Sequence, residues 1–211
     1  MTAQRFPLDY DGVVAFYPVL NWVPKAIKDS ENGDNQHRNN GKDWLSPEQY
    51  QQVIKRIYAY GDELDGSKDG LISDMAALDT QKDKVFSSLR DILSPGQLLD
   101  ATSTELTAFK NHGGKLILLH GTADQLVAAN GSVRYFKDVQ KRYGKAETAN
   151  FMRFYLVPGY GHGEGSIFTM GRDLLLDLDN WVSKGEAPEK LTVIGQNPAN
   201  KGKTIELVPA E

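Results

Sequence analysis

The stretch that most constrains this chain is Gly113-Gly114-Lys115-Leu116-Ile117-Leu118-Leu119-His120-Gly121. Leu116 to Leu119 is an unbroken apolar run between glycines, with no polar alternation. That pattern reads as a strand covered on both faces, the environment of a parallel sheet. Parallel neighbours require crossover connections, so helices must flank the strand. The surrounding chain supplies both. Val13 to Tyr17, opened by Asp11-Gly12 and closed by Pro18, and Phe151 to Val157 are further strands. Val133, Phe136, Val139 and Tyr143 form one face of a helix that begins near Asn130 and ends at Gly144. Another helix is predicted from about Phe168 to Lys184, with Leu174, Leu175, Leu178, Trp181 and Val182 toward the core and Gly185 and Pro188 closing it. From Leu191 the tail reads as an irregular surface segment containing one apolar stretch, Thr204 to Val208. The fold class is α/β.

In open parallel sheets the chemistry collects beyond the carboxyl ends of the strands. The central strand delivers His120 and then Asp124 into a turn. The strand ending at Val157 runs into Pro158-Gly159-Tyr160-Gly161-His162-Gly163-Glu164-Gly165, where glycines let the backbone turn sharply and leave the His162 imidazole uncrowded. Aspartate is also a turn and helix-capping residue, and taken alone Asp124 fits that role better. The pair is more informative. An acid after one strand and a histidine after the next follow the late part of the Ser, Asp, His order of α/β-hydrolases.

Composition removes several classes. The chain has 211 residues, 40% of them hydrophobic, enough for a buried core. A net charge of -4 gives no basic footprint for nucleic acid or anionic lipid. No stretch approaches the roughly 20 apolar residues needed to cross a bilayer, and the N-terminus lacks the basic and apolar regions of a signal peptide. With no cysteine, a disulfide framework, a thiolate metal site and a cysteine nucleophile are excluded. No GxGxxG, no GxxxxGK[ST] and no internal repeat occurs, so no organic cofactor is expected.

Met1 to Pro7 resembles the last turn of a helix. Residues 28–43 are rich in Asn, Asp and Gly without periodic apolar positions and read as an exposed loop in which His37 is solvated. Ser46, Pro47 and Gln49 have the spacing of a capping box at a helix start, and Tyr50, Val53, Ile54, Ile57 and Tyr58 fall on one face of that helix, which should stop near Gly61. Beyond it Asp65, Ser67 and Asp69 carry side-chain oxygens at alternate positions before Gly70, the first half of an EF-hand-like calcium loop. The twelfth loop position is Ala76 where a bidentate Glu belongs, and Asp62 can supply the missing carboxylate. The alternative is an acidic surface turn between two helices. Residues 75–112 show no chemistry, and His112 suits a capping cation at a helix end.

These segments together resemble the tannase and feruloyl esterase family of secreted α/β-hydrolases. The resemblance rests on Gln4 to Ala15, Asp62 to Asp74, Gly113 to Asp124, Val157 to His162 and Trp181 to Pro188, in the family's order. It implies Asp124 and His162 as triad acid and base. It also implies a calcium ion in the lid, held by the side chains of Asp62, Asp65 and Asp69 and the carbonyls of Ser67 and Leu71. The implied architecture is the C-terminal part of an α/β-hydrolase sheet with an inserted, mainly helical lid: core in 1–20, lid in 21–105, core again in 106–211. Two departures stand out. Gly163 occupies the position after the histidine where the family carries a disulfide-bonded cysteine, and no Gly-x-Ser-x-Gly occurs, the family's serine elbow lying upstream of the Gln4 segment. The expectation is a carboxylic ester hydrolase acting on aromatic esters, with this chain lacking the serine nucleophile. Non-catalytic calcium binding and an inactive truncated product are the alternatives. Tyr17, Trp22 and Trp44 are candidates for stacking on an aromatic acyl group. The expected partners are a small aromatic ester and either the N-terminal part of the hydrolase or a second copy, because three strands would leave an apolar sheet edge. Family resemblance places such a protein outside the cell or in the periplasm.

Overall fold

The computed structural model describes residues 1–41, 46–49, 51, 66–68, 70, 101–163, 170–198 and 200–211, excluding the side chains of 32–33 and 35–41. The chain forms two compact units, Met1–Leu20 with Ala101–Glu211, and Asn21–Asp100. The first unit closes where the chain re-enters it. The Ala101 N–H donates to the Leu20 carbonyl at 2.7 Å, and the Gln4 side-chain amide donates to the carbonyls of Ala101 (2.7 Å) and Ser103 (2.9 Å). Residues 101–105, which the family resemblance assigns to the lid, therefore pack with the first unit.

At the centre of that unit is a parallel sheet of three strands, β1 (Gly12–Phe16), β2 (Lys115–Gly121) and β3 (Met152–Val157), with β2 in the middle. Leu116 sits opposite Val13 on one side and Met152 on the other. Successive residues of β2 serve opposite faces, as strand geometry requires. Leu116 and Leu118 join a core with α1 (Thr2–Arg5), α3 (Thr107–Asn111), α4 (Ala129–Tyr143) and α5 (Lys145–Phe151), through Phe109, Phe136, Val139 and Phe151. Ile117 and Leu119 join the opposite core with α6 (Leu174–Lys184), through Leu174, Leu178 and Trp181. Helix α4 ends at Gly144, whose φ of +84° suits a residue without Cβ. His112 caps α3, and its Nε2 lies 3.6 Å from Asp11 Oδ1.

Three expectations are corrected. Helix α6 begins at Leu174, where Asp173 caps the Leu175 N–H at 2.9 Å, and Leu175 (66% exposed) and Val182 (38%) point outward. One turn of helix buries only the positions that face the sheet, and the run of three leucines misleads on this point. The tail is not irregular. Strand β4 (Met170–Gly171), β5 (Leu191–Gly195) and β6 (Thr204–Leu207) form an antiparallel sheet, with Leu191, Val193 and Leu207 buried at alternate positions in the same core as Trp181. The alternation of Leu191, Val193 and Gly195 is a period-2 signal only five residues long. In the second unit, the polar stretch after Lys28 is part of helix α2 (Trp22–Gly41) instead of a loop. Ion pairs from Lys25 to Asp29 and from Lys28 to Glu31 lie along it, the spacing at which helical side chains meet.

Also in the second unit, the capping box forms as its spacing predicts. The Ser46 N–H donates to Gln49 Oε1 at 2.9 Å, and the Gln49 N–H donates to Ser46 Oγ at 3.3 Å. Tyr50, Val53, Ile54, Ile57 and Tyr58 of the expected apolar face, the His37 side chain, Trp44 and residues 71–100 lie outside the described residues.

The loops that follow β2 and β3 approach each other closely, because Thr122 N–H donates to the Val157 carbonyl and Ala123 N–H to the Tyr160 carbonyl, both at 3.0 Å. Gly121 makes this possible. A Cβ there would sit 1.9 Å from the Tyr160 carbonyl oxygen, which is backbone and cannot swing aside. Gly121→Ala should therefore lower the unfolding free energy by about 2 kcal/mol or more in urea titrations. Gly131→Ala, in α4 with nothing within 4 Å of the added carbon, should raise it by about 0.5–1 kcal/mol. Equal effects at the two positions would show that the loop contact is not what Gly121 serves.

Candidate active site

The close approach at Gly121 sets Asp124 against His162. Asp124 lies three residues past the end of β2, in a turn it builds itself: Oδ1 accepts from the N–H of Leu126 (2.9 Å) and Val127 (2.8 Å). This is the turn role that the sequence allows for aspartate, and it coexists with a second one. The other carboxylate oxygen, Oδ2, lies 2.9 Å from His162 Nδ1. The Asp124 side chain is completely buried and that of His162 is 29% exposed. A carboxylate accepts, so Nδ1 carries the hydrogen, and in the neutral ring Nε2 keeps the lone pair. The acid is thus withdrawn from water while the imidazole reaches the surface of the unit.

Tyr17 completes the immediate surroundings. It follows β1 at the same end of the sheet, with its N–H donating to the Leu119 carbonyl at 2.8 Å. Its ring centroid is 4.2 Å from that of His162 and 6.2 Å from that of Tyr160. Its φ of +35° is the one positive value at a residue other than glycine among the described residues. Such a backbone is strained, and strain of this kind collects where a side chain is aimed at a particular place. Burial and the neighbouring Tyr17 push the Tyr160 phenol up to about 12, so it stays neutral in the working range.

Of the other residues singled out by sequence, Trp22 is 52% exposed on α2 of the second unit, and Trp44 lies outside the described residues. Asp62, Asp65, Asp69 and Leu71 also lie outside them. Ser67 is exposed, and Gly66 and Gly70 adopt φ of +85° and +79°. No group of three or more metal-ligating side chains is found among the described residues.

Sequence reasoning passed over His120. This residue is fully buried, with Nδ1 2.8 Å from Ser132 Oγ and Nε2 2.8 Å from the Val127 carbonyl. The signal was available: a histidine ending an apolar buried run must find partners for both ring nitrogens. Desolvation lowers its pKa, which keeps the ring neutral.

Comparisons with known proteins address the family and the fold. A family model described as tannase and feruloyl esterase matches residues 1–90 and 74–209. A mono(2-hydroxyethyl) terephthalate hydrolase of Piscinibacter sakaiensis is 39% identical over 104 residues, 48% of this chain and 17% of the relative. A probable feruloyl esterase B-2 of Aspergillus fumigatus is 25% identical in an alignment covering 88% of this chain and 54% of the relative. The chain therefore spans about half, or less, of the length of these curated relatives. Among solved structures, feruloyl esterase B from Aspergillus oryzae aligns at a TM-score of 0.80 and 17% identity, over 99% of this chain and 62% of that one. Tannin acyl hydrolase from Aspergillus niger aligns at 0.74 and 17%, over 99% and 58%. At these identities the likeness speaks to fold, which is of the α/β-hydrolase type. By its sequence match, the chain belongs to the tannase and feruloyl esterase family.

Proposed function

We propose that this chain carries the acid and base of a serine-type carboxylic ester hydrolase acting on aromatic esters. The observation that supports this most directly is the 2.9 Å contact between the buried Asp124 carboxylate and a partly exposed His162. In the proposed reaction His162 Nε2 takes the proton of a serine hydroxyl as its oxygen attacks the ester carbonyl. The tetrahedral intermediate then collapses, and the same proton passes to the departing alkoxide. Water repeats the two steps to free the acid. Asp124 holds Nδ1–H throughout and stabilises the imidazolium.

The sequence contains no Gly-x-Ser-x-Gly, so the reading assigns the nucleophile and most oxyanion-hole donors to another segment of the hydrolase. Strand β1 is compatible with such a partner, being paired on one side only among the described residues. The purified chain alone should not hydrolyse an aryl ester, and addition of a hydrolase segment carrying the serine should give turnover that His162→Ala lowers by about 10⁴-fold or more. Turnover by the chain alone, abolished by His162→Ala, would mean that the nucleophile lies within these 211 residues.

Aromatic specificity rests on the stacking capacity of Tyr17, Trp22 and Trp44. Alanine at all three should raise KM for a feruloyl ester in the complemented enzyme. An unchanged KM would remove them from substrate binding.

We further propose a calcium ion in the inserted unit, held by the side chains of Asp62, Asp65 and Asp69 and the carbonyls of Ser67 and Leu71. The chemistry of this donor set is all oxygen, as calcium prefers, and the positive φ at Gly70 suits the sharp turn at the sixth position of such a loop. Calcium titrated calorimetrically should bind the chain and not its Asp69→Ala variant. Equal affinity in both would refute the site. Export from the cell fits the family reading.

A further inference from the structure

We infer that His120 and Ser132 are a positioning pair for the Asp124–His162 dyad, an assignment that rests on the reading of that dyad as acid and base. Position 120 ends a run of buried apolar residues, where a leucine would be the simplest occupant. The histidine there has no exposure, and both its nitrogens are engaged. The Val127 carbonyl can only accept, so Nε2 carries the hydrogen. In a neutral ring Nδ1 must then accept, and the Ser132 hydroxyl, itself buried at 1% exposure on α4, donates to it.

The tautomer matters because of where the Nε2–H points. Besides Val127 it lies 3.4 Å from Asp124 Oδ2, the oxygen that holds His162. Its partner Val127 is also the residue whose N–H binds the other carboxylate oxygen at 2.8 Å. His120 thus grips the Asp124 turn twice, at the carbonyl of Val127 and beside the carboxylate. Ser132 selects the tautomer that can do so. Among the described residues, Asp124 from the turn after β2 and Tyr17 from the end of β1 lie against His162, with His120 one step behind Asp124. Only Asp124 among them is a carboxylate.

The test uses the 211-residue chain and needs no nucleophile. Imidazole NMR reads the hydrogen on His162 Nδ1 and its exchange with water. In the unaltered chain Asp124 Oδ2 holds that hydrogen from exchange. Without His120 the turn loosens and the hydrogen is released. His120→Leu should therefore speed the Nδ1–H exchange by about tenfold. His120→Gln, which keeps an N–H near the Nε2 position, should retain the slow exchange. Ser132→Ala should speed it by less. A folded His120→Leu protein with unchanged exchange overturns the proposal, as does a glutamine variant impaired as much as leucine. If the leucine variant fails to fold, unchanged exchange in Ser132→Ala overturns it. Failure of the complemented enzyme to cleave esters, with these exchange changes present, would refute the proposed function and leave the positioning pair standing.

Discussion

Everything in the first unit depends on the pairing of β2 with a parallel strand on each side. Because β1, β2 and β3 run in one direction, their carboxyl ends lie along one edge of the sheet, and Tyr17, Asp124 and His162 all follow those ends. An antiparallel neighbour would have carried its following loop to the opposite edge. The two cores on either side hold β2 by alternate residues, so the register is strongly specified. A slip of one position would turn Ile117 and Leu119 away from α6 and place Leu116 and Leu118 there instead.

On that edge the loops are drawn together by backbone contacts, and side chains only finish the arrangement. Thr122 and Ala123 reach the carbonyls of Val157 and Tyr160, and Thr122 Oγ1 accepts from the Gly159 N–H at 3.1 Å. The buried Asp124 carboxylate requires compensation that one partner could not supply. It receives N–H groups from Leu126, Val127 and His162, with His120 Nε2 at longer range. That shell explains how a carboxylate can be kept out of water beside a histidine. It also explains why a turn-forming aspartate and an orienting acid are the same residue: one oxygen serves the turn, the other serves the imidazole.

The two strand edges of the sheet are finished differently. Beyond β3, the Ala210 N–H donates to the Phe154 carbonyl at 2.7 Å, so the tail covers that side. β1 has pairing to β2 alone among the described residues, and its residues Gly12 to Ala15 are only partly buried. An unpaired edge next to half-covered valines is a surface that favours another strand. The physical consequence for a hydrolase reading is that fold completion and supply of a nucleophile could come from one and the same segment.

By itself the sequence determined the features that are local. The apolar run at Leu116 to Leu119, the glycines around it, the Ser46–Gln49 capping box, the Gly144 and Gly185 helix ends, and the order of Asp124 before His162 are all written within short windows, because strand burial, capping and turn formation act over a few residues. Where local patterning was weak or ambiguous, tertiary contacts decided. Leu174 and Leu175 are chemically alike, and only the sheet beneath α6 made one a core residue and left the other exposed. Leu191 and Val193 carry a period too short to read alone, and β5 became a strand through pairing with β6 and burial against the Trp181 core. The polar helix α2 has no apolar stripe to announce it. The role of His120 was the most deeply hidden, since its partners Val127 and Ser132 are set by the path of a turn and the first turn of a helix. A residue type can declare that it needs hydrogen bonds, but only the folded chain determines which atoms are there to make them.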